Sequence, residues 1–159
     1  ARRVGSMAPA DAPLSVETVL VPVDGTDEAT EAAEYAIAIA DRYDADVTAV
    51  YVLAETVSRA IEREAVDHET VAEESQAYLE GLAETASASG VQLDATVAYG
   101  FSKTRKSQHP GSVVLDTADE IGADFLVIPR EDQHEDERDT LAKAAEYVLL
   151  YASQPVLSV

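Results

Sequence analysis

The sequence predicts an α/β fold, an open parallel sheet with helices on both faces, and three observations carry that expectation. Strand-length runs of Val, Ile and Leu alternate with helix-periodic segments five times along the 159 residues. Several of these runs are apolar almost throughout, as strands buried on both faces require, where a half-exposed strand would alternate. Right-handed crossovers then pack the intervening helices back onto the sheet.

The first run, Thr18-Val-Leu-Val-Pro-Val23, stops at Asp24-Gly25-Thr26, a turn sequence. From Asp27 to Tyr43 the residues Ala29, Ala32, Ala33, Ala36, Ile37, Ile39 and Ala40 keep helical spacing, with Thr26 or Asp27 as N-cap and Glu28 and Glu31 in the first turn. Asp46 to Leu53 is a second strand. Residues 55–89 read as helical, with Val71, Tyr78, Leu79, Leu82 and Ala86 on the inner stripe, the charged stretch Glu55 to Glu69 as a separable short helix, and Gly90 as the stop. Val91 to Tyr99 alternates apolar and polar residues, the pattern of an edge strand. Phe101 to Gly111 is expected to be a polar loop, followed by a short helix over Val113 to Ile121 and a strand over Asp124 to Ile128 that Pro129 ends. The acidic stretch Glu131 to Asp139 leads into a helix over Thr140 to Ser153, with Leu141, Ala144, Ala145, Val148, Leu149 and Ala152 on one face. Pro155 to Val159 forms a last strand.

Length and composition narrow the class. The chain fits one domain, residues 16–159, preceded over residues 1–15 by a cloning remnant (Ala1 to Ser6, before the single Met7) and a flexible N-terminus. No stretch approaches the roughly 18 uninterrupted apolar residues of a membrane span, and the expected setting is the cytoplasm. The chain contains no cysteine, so disulfides, thiolate catalysis and cysteine zinc sites are excluded. Thirty-one acidic against eleven basic residues give a formal net charge of −20, spread along the chain. That field repels nucleic acid and anionic lipid. With 47% hydrophobic residues the chain is too apolar for a disordered acidic tail, and it reads as a folded domain of halophile-like composition, whose carboxylates hold water in concentrated salt.

The run Val19-Leu-Val-Pro-Val-Asp-Gly-Thr26, the segment Gly122-Ala-Asp-Phe-Leu-Val-Ile128 and the ending Gln154-Pro-Val-Leu-Ser-Val159 together resemble the universal stress protein family over residues 17–159. The resemblance implies a Rossmann-like open sheet of order 3-2-1-4-5 and a homodimer through the C-terminal strand Pro155 to Val159. It also implies, in ATP-binding members, a loop Gly-x-x-Gly, nine residues, Gly and Ser or Thr after the fourth strand, whose backbone N–H groups cradle phosphate. Those positions fall here on Pro129, Asp132, Ala142 and Lys143, so all three glycines are replaced. Pro129 has no N–H to donate, Asp132 and Ala142 place side chains where phosphate must approach backbone, and the acids from Glu131 to Asp139 repel a triphosphate. ATP is therefore disfavoured as a cofactor.

Asp24 stands where nucleotide-binding relatives contact the adenosine part, and it equally suits a strand-ending turn with Gly25. Lys143 reads as a solvated partner of Glu146 or Asp139. The loop bearing Lys103, Arg105, Lys106 and His109 holds two of the three lysines and is longer than the family's loop. It is either a relocated anion site for a phosphate or acidic partner, or a mobile insertion balancing the acidic surface. Catalytic patterns are thin. His68, His109 and His134 lack the H-E-x-x-H spacing of a zinc helix, and Ser102 and Ser153 lack a G-x-S-x-G elbow. No metal site or catalytic set is expected. The expectation is a dimeric binding or regulatory module with an unknown protein partner, not an enzyme. A nucleotide switch or weak ATPase using Asp24 is the alternative, and a polar small-molecule sensor a third reading.

Overall fold

The computed structural model describes residues 14–53, 55–99, 109–129 and 140–159. In chain order the elements are β1 (Thr18–Val23), α1 (Asp27–Tyr43), β2 (Asp46–Leu53), α2 (Glu55–Glu62), α3 (His68–Ala88), β3 (Leu93–Tyr99), α4 (Pro110–Ile121), β4 (Phe125–Ile128), α5 (Thr140–Tyr151) and β5 (Val156–Ser158). The five strands form one sheet in the order β3-β2-β1-β4-β5, and every pairing is parallel. Helices α1 and α3 touch each other, as do α4 and α5. With right-handed crossovers, the reversal in strand direction of travel between β1 and β4 puts the first pair on one face and the second on the other.

Burial explains why the central strands lack alternation. Val19, Leu20, Val21 and Val23 of β1 and Leu126 and Val127 of β4 are fully buried, because helices cover both sides. Alanines at 29, 32, 33, 36 and 40 line the inner face of α1, and their small side chains let that helix sit close to the sheet. Its ends are set locally: Thr26 accepts from the Ala29 N–H as N-cap, and Asp44 closes the helix in the left-handed conformation at φ 56°. Asp124 joins β4 to the start of β1. Its carboxylate accepts from the backbone N–H groups of Glu17 (3.1 and 3.0 Å) and Thr18 (3.2 Å).

One expected boundary is corrected. His109 and Gly111 do not belong to a polar loop, because α4 already starts at Pro110. Proline at the first helical position has its φ preset and lacks an N–H that would go unpaired there. The His109 Nδ1 accepts from the Gly111 N–H (3.0 Å), which makes His109 the N-cap. Its ring stacks on Tyr147 of α5 at 4.6 Å. Gly111 is buried at the crossing of α4 and α5, where a Cβ would overlap the Tyr147 side chain. The short helix expected over Glu55 to Glu69 stops at Glu62, and His68 and Glu69 begin α3, while the other ends shift by a few residues: β3 begins at Leu93, β4 at Phe125, α5 ends at Tyr151 and β5 covers Val156–Ser158.

Candidate functional site

The chain leaves β1 through a three-residue device. The Asp24 Oδ1 accepts from the Thr26 N–H (3.1 Å) and from the Thr26 hydroxyl (2.6 Å), while the Thr26 Oγ1 accepts from the Ala29 N–H (3.2 Å). Between them Gly25 adopts φ +86°, a conformation that L side chains rarely take. A Cβ at Gly25 would also come within 3.1 Å of the Tyr51 hydroxyl. Tyr51, near the end of β2, donates to the Asp24 carbonyl (3.3 Å) and so ties the two strand ends together.

Beyond those ends, between α2 and α3, is a cavity of about 430 Å³. Its polar lining is Asp24, Thr26, Tyr51, Glu74 and Ser75, and its apolar wall includes Val52, Leu53, Val57, Val66 and Val71. A smaller cavity of about 190 Å³ shares Leu53, Val71 and Ser75 with it. Ser75 is the one buried polar residue among the described residues, and its hydroxyl donates to the Val71 carbonyl (2.8 Å). The ring of Tyr78 meets that of Tyr51 edge-on, with centroids 5.9 Å apart. The Thr30 hydroxyl donates to the Thr26 carbonyl (3.0 Å) and lies 2.8 Å from the Tyr78 hydroxyl, in a bond for which either oxygen can be the donor. Burial pushes both tyrosine hydroxyls above their ordinary pKa. A hydrogen bond with Ser75 opposes the rise at Tyr51, and the negative charges of Asp24 and Glu74 add to it. At Tyr78 the hydrogen bond with Thr30 opposes the rise. A wider groove of about 590 Å³, lined by Thr18, Asp46, Thr48, Asp94, Thr117 and Glu120, opens where the strands begin, away from the carboxyl ends at which ligands of such sheets sit.

The residues expected to carry function are dispersed. Asp24 lines the larger cavity and at the same time shapes the turn. Pro129 is buried directly after β4 and Lys143 is exposed on α5, and neither lines the cavity, while Ala142 belongs to the first turn of that helix. Asp132, Lys103, Arg105 and Lys106 lie outside the described residues. Among the described residues no group of three or more His, Asp or Glu could hold a metal ion, and no helix is long and apolar enough to cross a membrane. Sequence reasoning missed Tyr51, Glu74 and Ser75. The signal for Ser75 is its place on the stripe Val71, Ser75, Leu79, Leu82, Ala86, where a polar residue interrupts an apolar series.

A doubly wound parallel sheet with order 3-2-1-4-5 and a cavity beyond the carboxyl end of β1 defines an α/β protein of the ligand-crevice type. The model of the universal stress protein family matches residues 15–159, and the chain belongs to that family. It is 30% identical over 144 residues to the universal stress protein MJ0531 of Methanocaldococcus jannaschii, covering 89% of this chain and 80% of that one. Among solved structures, the hypothetical protein MJ0577 superposes with a TM-score of 0.72 at 18% identity, covering 92% of this chain and 96% of that one. A universal stress protein in complex with cAMP gives 0.64 at 21% identity, covering 92% and 98%. At these identities the two structures establish the fold.

Proposed function

We propose that this chain is a dimeric stress-response regulator of the universal stress type that works without ATP. The observation carrying this reading is the replacement of the family's three phosphate-loop glycines by Pro129, Asp132 and Ala142. Pro129 offers no N–H, and the acids following it repel phosphate. The dimer rests on β5, an edge strand paired on one side with β4. Its Val156 and Leu157 are half-buried, and Leu149, Leu150 and Tyr151 are exposed on the preceding helix. Pairing with the same strand of a second copy covers that edge in a closed two-fold contact. The setting we propose is a salt-rich cytoplasm, matching the net charge of −20.

A nucleotide-dependent reading is favoured by two facts, the place of Asp24 in the cavity and the cAMP complex of one structural neighbour. Calorimetric titration with ATP, with and without magnesium, in molar potassium chloride separates the two. No heat of binding from folded protein supports the ATP-independent module. Saturable micromolar binding overturns it and makes Asp24 and the segment with Lys103, Arg105 and Lys106 the residues to mutate.

A further inference from the structure

Strand β3 is the last strand on its side of the sheet, and among the described residues nothing pairs with its outer edge. The register tells which of its backbone groups face outward. The Val47 N–H donates to the Gln92 carbonyl (3.0 Å), and Val47 is paired with Leu93. In a parallel ladder Asp94 and Thr96 then turn their N–H and C=O groups to β2, and Ala95 and Val97 turn theirs to the open side. Asp94, Ala95, Thr96 and Val97 are all exposed, Val97 at 46%, so both faces of the strand are bare there as well as its edge. An edge of this kind, on a strand of seven residues, is a template for one more strand. The two faces differ in chemistry. Asp94 and Thr96 lie with Asp46, Thr48 and, from α4, Glu120 along the groove of about 590 Å³. Its carboxylates draw cationic side chains, and that of Asp94, which meets the Gln92 side chain at 3.5 Å, keeps further acceptor positions. On the opposite face Val97 borders the smaller cavity with Leu53, Val71 and Ala72, an apolar surface. Successive side chains of a strand point to opposite faces, so a segment laid along β3 meets acids with every second residue and apolar groups with those between.

We propose that the outer edge of β3 takes up an extended, basic segment of a protein partner, in which Lys or Arg alternates with apolar β-branched residues. Main-chain hydrogen bonds to Ala95 and Val97 supply the attachment, and Asp94 and Glu120, with Asp46 behind them, select positive side chains. The net charge of −20 steers a basic partner toward the chain. A second copy is disfavoured on this edge, because its own Asp94 and Glu120 would be brought against these acids. The groove opens where the strands begin, away from the cavity beside Asp24, so the proposal stands apart from whether the chain binds ATP.

The test uses the full chain, nitrogen-labelled for NMR, with three capped six-residue peptides as probes: lysine alternating with valine, glutamate alternating with valine, and the lysine-valine peptide N-methylated at every residue. The first is expected to bind saturably at one site, about tenfold or more tighter than the other two, and to slow hydrogen exchange at the Ala95 and Val97 N–H groups. The methylated peptide carries the same charge without backbone donors, so equal binding by it reduces the contact to charge attraction alone and overturns the proposal. Ala95→Pro removes an outward N–H and leaves the ladder to β2 in place, and is expected to weaken the lysine-valine peptide by about tenfold or more. Asp94→Asn combined with Glu120→Gln is expected to weaken it by about tenfold. Undiminished binding by either variant, or unchanged exchange at Ala95 and Val97, overturns the proposal. The exchange measurement needs no variant, so a poorly folded Ala95→Pro does not leave the question open. Exchange at those two groups that slows with protein concentration alone assigns the edge to a second copy and likewise overturns it.

Discussion

Gly111 is where two helices meet through the absence of a side chain. A Cβ there would run into Tyr147, whose ring is already held between His109 and Tyr151. Gly111→Ala is therefore expected to lower stability by about 1–3 kcal/mol through overpacking, although alanine is the better helix former. Urea denaturation checks it, and a gain in stability would show that the two helices separate freely. Asp124 acts through hydrogen bonds where Gly111 acts through packing. Its carboxylate takes the N–H groups of Glu17 and Thr18, and Asp124→Ala should cost about 2 kcal/mol by the same assay, typical for bonds to a charged group. The two tyrosines at the cavity set an alkaline limit. Their folded-state pKa values lie above the unfolded ones, so folding favours the protonated phenols. That contribution is complete below the ordinary value near 10 and is lost as pH rises through the raised values. The double variant Tyr51→Phe with Tyr78→Phe should show a flatter fall in unfolding midpoint between about pH 9 and 11.5 than the parent.

Among the strands, β5 is the shortest. It is three residues long, pairs on one side only, and lies beside the exposed Leu149, Leu150 and Tyr151. Deleting residues 154–159 is expected to give monomer or aggregate by light scattering, and a truncated protein that remains a soluble dimer would exclude β5 from the proposed dimer contact. Helices α1 and α3 differ in how they meet their surroundings. The first buries six residues, five of them alanine, and the second buries Ser75, Leu79, Leu82 and Ala86. The stripe of α1 is uniform and therefore visible as a pattern. That of α3 holds a serine whose hydroxyl is satisfied by its own helix, at the Val71 carbonyl one turn back, so burial costs it little.

For the molecule as a whole, charge sets the conditions under which the fold is tested. Thirty-one acidic and eleven basic residues leave a self-repulsion that salt relieves, since the screening length drops from about 10 Å at 0.1 M to about 3 Å at 1 M. Raising potassium chloride from 0.1 M to 2 M is expected to raise the thermal midpoint, as circular dichroism would show. A midpoint indifferent to salt would mean that the acids are too far apart to repel one another strongly.

The fold was open to reading because strand and helix periods are local: Thr18 to Val23 announces a buried strand and Asp27 to Tyr43 a helix without reference to anything distant. The strand order followed from the resemblance carried by the Asp24-Gly25-Thr26 turn and the closing Pro155 to Val159 segment, and the structure has the same order. Asp24 was visible as a candidate for the same reason. The other residues lining its cavity were not, because Tyr51, Glu74 and Ser75 come from β2 and α3 and meet Asp24 only when the strands pair and α3 packs. The role of His109 depends likewise on Tyr147, a residue 38 positions away. Sequence by itself determined which segments are strand and helix and the acidic composition of the chain, since each depends on residue type and near neighbours. Tertiary structure decided which polar groups converge beside Asp24 and where a missing Cβ is required, because those depend on distances between segments that only folding brings together.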